Sequence, residues 1–218
     1  MEIINFAETP SLMSGYLAEL RDTVVQRDRL RFRANLKRIG QIMAYEISKR
    51  ANYTAADIPT PLGSAKCDLI ADRIVLATIL RAGLPFHEGF LSYIDRAENA
   101  FVSAYRKYKD GCDDFDIHIE YIASPALEGK TLIITDPMLA TGSSMELAYK
   151  ALLTKGTPAK LHIASVIAAQ PAIDFVEEHF PAGTTLWVGA IDPALNPHAY
   201  IVPGLGDAGD LAYGPKLP

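Results

Sequence analysis

The sequence predicts an α/β fold in which an open, mainly parallel sheet is flanked by helices. Three observations predict it. Near-continuous apolar runs at 73–80, 131–135, 162–168 and 185–190 have the pattern of strands buried on both faces. Segments with helical spacing separate them, and strand and helix alternating along a chain imply right-handed crossovers and a parallel sheet. One of the runs ends on a lone carboxylate, then a tight loop of small and hydroxyl residues, then a helical pattern. In open parallel sheets that junction is where anionic ligands bind.

Taken in order, Thr9-Pro10 reads as an N-cap with proline at the first helical position, opening a helix over 11–21. A second helix is expected at 28–50, where Phe32, Leu36, Ile39, Met43 and Ile47 step by four or three along one face. The stretch 51–68 is rich in proline and reads as a loop. After the strand at 73–80 come a helix at 86–94 and a strand at 100–105. Residues 116–122 alternate with period two, which predicts a two-sided hairpin projecting from the sheet within an arm at 106–130. Helices at 144–153 and 172–179 separate the last three strands. The whole reads as one domain: N-terminal helices and loop at 1–68, an α/β core at 69–190, and a C-terminal hood at 191–218.

Composition narrows the function classes. The chain has 218 residues, 49% hydrophobic and 22% charged, with a net charge of -5. An acidic total gives no support to nucleic-acid or anionic-membrane binding. The basic residues of the second helix, among them Arg29, Arg31, Arg33, Lys37 and Arg38, are therefore read as a solvated or packed face. Cys67 and Cys112 have no metal-ligand spacing, and no apolar run approaches the roughly 18 residues of a membrane span. The expected location is cytoplasmic.

The chemistry concentrates in three segments. In the run Asp136-Pro137-Met138-Leu139-Ala140-Thr141-Gly142-Ser143-Ser144, orphan N–H groups and a helix dipole can grip a phosphate. Asp136 would repel that phosphate, so it should face a hydroxyl pair or a metal on the same ligand, as on a sugar phosphate. Leu80-Arg81-Ala82-Gly83 places a planar guanidinium at the end of the first buried strand, suited to diphosphate oxygens. Tyr200 to Asp210 is dense in glycine, reads as too flexible for helix or strand, and exposes backbone donors and acceptors at close range. The five histidines show no ligand spacing; His87, His162 and His179 read as structural, and His198 as a group that orders the C-terminal loop.

These segments resemble the uracil phosphoribosyltransferases. D-P-M-L-A-T-G is similar to their PRPP-binding loop, I-L-R-A-G-L to their pyrophosphate loop, and P-G-L-G-D-A-G-D to their uracil signature. The N-terminal R-F-R and A-Y-E segments look familiar as well. The resemblance implies the type I phosphoribosyltransferase fold with an arm and a base-binding hood. It also implies catalytic roles for Arg81, Asp136 and Asp207, and PRPP contacts from Arg81, Arg106, 136–144 and Asp207. Ile201, Gly206, Asp207 and Ala208 would contact uracil. Mg²⁺ would be held mainly through PRPP, the protein would be a homodimer or higher homo-oligomer, and GTP is an effector of some relatives. The Leu80–Arg81 peptide would be cis. After Arg106 the chain departs from the family with Lys107-Tyr108-Lys109-Asp110-Gly111, and Ser143 stands where a second glycine is usual. Ser143 would be strained at positive φ but cost nothing if already helical, and the helical case is expected. Two alternatives stay open: a pyrimidine-responsive RNA-binding regulator on the same fold, and a transferase for another base.

Overall fold

The computed structural model describes residues 1–108 and 115–215, with the side chains of 104–108 and 115–119 outside the description. The chain opens with a short strand, β1 (Glu2–Asn5), and two helices, α1 (Leu12–Arg21) and α2 (Arg29–Ser48). Ser11, not Thr9, caps α1: its hydroxyl accepts from the Met13 N–H, and Ser14 returns the contact. The capping box two residues downstream outcompetes the Thr-Pro signal.

A two-stranded ribbon, β2 (Tyr53–Thr60) and β3 (Gly63–Ile70), follows and pairs antiparallel along its whole length. This overturns the loop expected at 51–68. Pro59 sits beside the turn, where its missing N–H costs little, and the alternation was hidden because both faces of the ribbon are largely exposed.

The main sheet is built from β4 (Ile74–Leu80), β5 (Glu98–Tyr108), β6 (Phe115–Ala123), β7 (Thr131–Thr135), β9 (Lys160–Ala169) and β10 (Thr185–Asp192), in the order β1-β10-β9-β7-β4-β5-β6. The two-residue β8 (Met138–Leu139) pairs with β9. Every pairing is parallel except β5 with β6. Helices α3 (Gly83–Leu91), α4 (Ser143–Leu153) and α5 (Gln170–His179) make the crossovers. The chain closes with a small ladder of β11 (Ala194–Leu195) and β12 (Ile201–Val202), then α6 (Ala208–Tyr213).

Strand parity assigns the layers. Ile74, Leu76 and Ile133 point to one face, where they pack with Met13 and Leu17 of α1, Phe32, Leu36 and Ile39 of α2, and Phe86 and Phe90 of α3. Val75, Ala77, Leu132 and Ile134 point to the other, against Met145, Ala148 and Leu152 of α4 and Ile173 and Val176 of α5. Strands buried on both faces are what their unbroken apolar runs require. β6 differs as the antiparallel edge strand of the sheet, where Tyr121 is exposed.

The sheet's strand order reverses between β4 and β7. The chain leaves β4 through α3 toward β5, and leaves β7 through α4 toward β9 on the opposite side. That switch point opens a crevice at the carboxyl ends of the strands, the usual ligand position in such sheets.

Candidate active site at the sheet switch point

Two strand ends face this crevice. β7 delivers Asp136, whose N–H donates to the Ala164 carbonyl (3.1 Å), while its Oδ1 accepts from the Met138 N–H (3.3 Å). These bonds fix the turn at the end of β7 and hold the carboxylate against the Met138 N–H. The surrounding protein strips water from it, and burial pushes its carboxyl up to about 7, opposed only by the Met138 N–H.

The loop then climbs to α4. Gly142 caps the helix at φ +85°, and a Cβ there would sit 2.5 Å from the Phe175 ring. Glycine is thus required at this position by conformation and by space. Ser143 is already the first residue of α4, so the departure from the family pattern costs nothing, as expected. The Thr141 hydroxyl donates to Ser143 Oγ (3.2 Å), and the Ser143 N–H lies 3.4 Å from Thr141 Oγ1. Hydroxyls and helix N–H groups therefore gather at the positive end of an eleven-residue helix.

β4 delivers Arg81 across a cis Leu80–Arg81 peptide. Its Nη2 meets Asp210 Oδ1 at 3.0 Å, and its Nη1 reaches the Gly214 carbonyl at 3.5 Å. The pyrophosphate-loop candidate and the C-terminal segment thus touch directly, although they are 129 residues apart. Arg106 lies on β5 opposite Ile117, and its side chain is outside the described residues.

The C-terminal segment is not the structureless loop its glycines suggest. Residues Ala208–Tyr213 form α6, capped by Asp207, whose Oδ1 accepts from the Asp210 N–H at 3.0 Å. Only Gly204 and Gly206, at φ +62° and +95°, shape the turn before it. The Asp-x-x-Asp cap outweighs the single helical glycine, Gly209. Ile201, Leu205 and Ala208 are buried in the same cluster that Ala82, Met138 and Ala140 pack against. One hydrophobic cluster therefore seats the pyrophosphate-loop, phosphate-loop and base-loop candidates together.

Three supporting residues escaped the sequence reading. Arg21 forks onto Asp192 with both contacts at 2.8 Å and also donates to the Gly204 carbonyl (2.9 Å), while Asp192 accepts from the Gly204 N–H (3.0 Å). No local signal could reveal a pair 171 residues apart. Asn196 orders the turn before β12: its Oδ1 accepts from the His198 and Tyr200 N–H groups at 3.0 and 2.9 Å. The Asn-Pro dipeptide was the available clue to that turn.

His87 and His162 lie elsewhere. His87 stands in α3 with Nε2 on Asn99 Oδ1 (2.8 Å), its pKa lowered by burial. His162, at the amino end of the sheet, accepts from Trp187 Nε1 (3.3 Å), and burial followed by Lys160 holds it down to about 4. Among the described residues no group of three or more His, Cys, Asp or Glu could hold a metal ion.

The chain is similar to known proteins over nearly its whole length. A family model described as uracil phosphoribosyltransferase matches residues 8–215. A protein of that name from Porphyromonas gingivalis is 62% identical over 217 residues, covering 100% of both chains. Another of that name from Pyrobaculum arsenaticum is 40% identical over 199 residues, 90% of this chain and 92% of its own. The solved structure of the AQ2163 protein from Aquifex aeolicus has a TM-score of 0.86 at 32% identity, covering 97% of this chain and 98% of that one. With the family model spanning residues 8–215 and a relative 62% identical over the full length, the chain belongs to the uracil phosphoribosyltransferase family.

Proposed function

We propose that this protein transfers the phosphoribosyl group of PRPP to N1 of uracil, forming UMP and pyrophosphate in pyrimidine salvage. One observation supports this above the others. In a member of this family, the segment bearing Ile201, Gly206, Asp207 and Ala208 is fastened to Arg81 of the strand-end loop through Asp210.

The reaction breaks the anomeric C–O bond and forms a C–N bond through an oxocarbenium-like state. The protein's task is to hold the two partners in line and to stabilise charge as it separates. The N–H groups at Ser143 and Ser144, with the Thr141 hydroxyl, would hold the 5′-phosphate. Arg81 and Arg106 would meet the negative charge growing on pyrophosphate. Asp136 would orient the ribose hydroxyls, with Pro137, Met138, Leu139 and Ala140 lining the approach. Asp207 would face both the base and PRPP, and the exposed backbone beside it would read the alternating donors and acceptors of uracil.

Mg²⁺ fits as a cofactor carried in on the diphosphate: Asp136 is a single carboxylate, suited to completing a shell of diphosphate and ribose oxygens. When bound, the ion would neutralise diphosphate charge. The assembly is read as a homo-oligomer. The β2–β3 ribbon stands off the main sheet with Leu62 fully exposed, and an isolated two-stranded ribbon is barely stable in water. Sedimentation at assay concentration tests this, and a monomer would refute it. Among the described residues no helix is long and apolar enough to cross a membrane.

An RNA-binding role finds little support. Arg31 is committed to Glu19, Arg33 to the Ala212 carbonyl, Lys37 to Glu88 and Arg38 to Asn35. These four basic side chains of α2 are engaged within their own chain.

The decisive assay offers purified protein PRPP, Mg²⁺ and a panel of bases. Uracil should turn over, with cytosine and purines far slower, and turnover should stop on chelation. Equal rates with cytosine would refute the assignment of the base.

A further inference from the structure

The R-F-R segment, Arg31-Phe32-Arg33, has no part in the chemistry above, yet it reaches the C-terminal hood. Phe32 is 1% exposed and anchors this turn of α2 in the core. Arg31 points to α1, where it pairs with Glu19 at 3.1 Å. Arg33 points to α6: its Nη1 donates to the Ala212 carbonyl at 2.6 Å, and its guanidinium lies 5.9 Å from the centre of the Tyr213 ring.

We propose that Arg33 is a positioning residue for base recognition, acting through α6. A six-residue helix cannot hold itself together in water, so its placement depends on what grips it. Its N-terminal end carries Asp207 and Ala208, the residues read above as the base side of the site. Its C-terminal end leaves carbonyls without helical partners, and a cation there satisfies both the hydrogen bond and the dipole. Arg33 supplies that cation from a rigid twenty-residue helix. Arg81 grips the same turn from the other side through Asp210. The path from core to base therefore runs from Phe32 through Arg33 and Ala212 to Asp207. Arginine suits this better than lysine, because one fork can hydrogen-bond the carbonyl while its plane lies by Tyr213.

The inference rests on reading 201–208 as the base loop, and the test separates the two. Steady-state constants and amide exchange are measured for wild type, Arg33→Ala and Arg33→Lys. Removing one charge-assisted bond should raise the KM for uracil about tenfold in Arg33→Ala. The KM for PRPP should stay within about twofold, and Arg33→Lys should recover most of the loss because it keeps the charge and a donor. The Leu211 and Gly214 amides, which close α6 onto Asp207 and Asp210, should exchange faster in Arg33→Ala, while those of β4 should not. An unchanged uracil KM, or both KM values moving together with a lowered melting temperature, would overturn the proposal and leave Arg33 a purely structural residue. Wild-type protein inactive with uracil would instead sink the assignment of the base, and unchanged exchange in α6 would then still refute the tether.

Discussion

Arg21 and Asp192 face each other through two parallel hydrogen bonds of 2.8 Å, and together they hold both backbone groups of Gly204. The pair joins the end of α1 to the end of β10 and fixes the turn that leads into the base-loop candidate. Asp192 is buried while Arg21 is partly exposed. Loss of the arginine would leave a carboxylate in the interior with only the Gly204 N–H to satisfy it.

Arg21→Ala should therefore cost about 3 kcal/mol of stability, the scale for stranding one member of a buried pair. Denaturant unfolding measures it directly. A change below about 0.5 kcal/mol would mean that water replaces the guanidinium. The same variant should raise the uracil KM, since Gly204 lies just before Leu205 and Gly206.

Asp136 gives a pH-dependent stability of known sign. Its carboxyl titrates near 7 in the folded protein against an ordinary value of 3.8, so the folded state binds the proton more tightly than the unfolded chain. Folding is favoured by this group below about pH 4, and the advantage drains away as pH rises toward 7, by at most about 4 kcal/mol. Asp136→Asn keeps an oxygen for the Met138 N–H and removes the charge. Its melting temperature relative to wild type should rise between pH 5 and pH 8. A difference independent of pH would show that the carboxylate is well solvated.

Much of this architecture was legible because physics wrote it locally. A strand buried on both faces must be apolar throughout, so β4, β7, β9 and β10 announced themselves. The turn from β7 into α4 was legible for a related reason: Gly142 must take positive φ beside Phe175, and few residues can replace it. What stayed hidden was set at long range or by competition. β1 is four residues long and exists only because β10 offers it an edge. The β2–β3 ribbon exposes both faces and so carries no burial pattern. α6 was masked by Gly209 and the glycines before it, because the cap at Asp207 and the grip of Arg33 and Arg81 decide its conformation more than propensity does. Arg21 with Asp192 left no mark at all on the local sequence.

Arg81→Ala should lose roughly 3 kcal/mol of transition-state stabilisation, the scale of one preorganised charge-stabilising group. The loss should fall on kcat more than on uracil affinity, because the charge proposed for it to meet grows on the leaving group. Arg81→Lys should recover only part, since an ammonium cannot fork across two diphosphate oxygens. Wild-type kcat in Arg81→Ala would reduce this residue to an anchor for Asp210.

Asp207 allows capping and catalysis to be pulled apart. Its Oδ1 caps α6 by accepting from the Asp210 N–H, and asparagine offers an equivalent oxygen at the same place. Asp207→Asn should thus keep folding stability within about 0.5 kcal/mol, while Asp207→Ala should lose about 1 kcal/mol with the cap. Both remove the negative charge proposed to face the anomeric centre. If that charge stabilises the oxocarbenium-like state, both variants should lose kcat by a similar large factor despite their different stabilities. If Asp207 serves only to hold the helix, Asp207→Asn should turn over almost normally and Asp207→Ala alone should fail. Measuring kcat and unfolding free energy on the same two proteins decides between them, because the electrostatic role predicts that activity follows charge and the structural role predicts that it follows the cap.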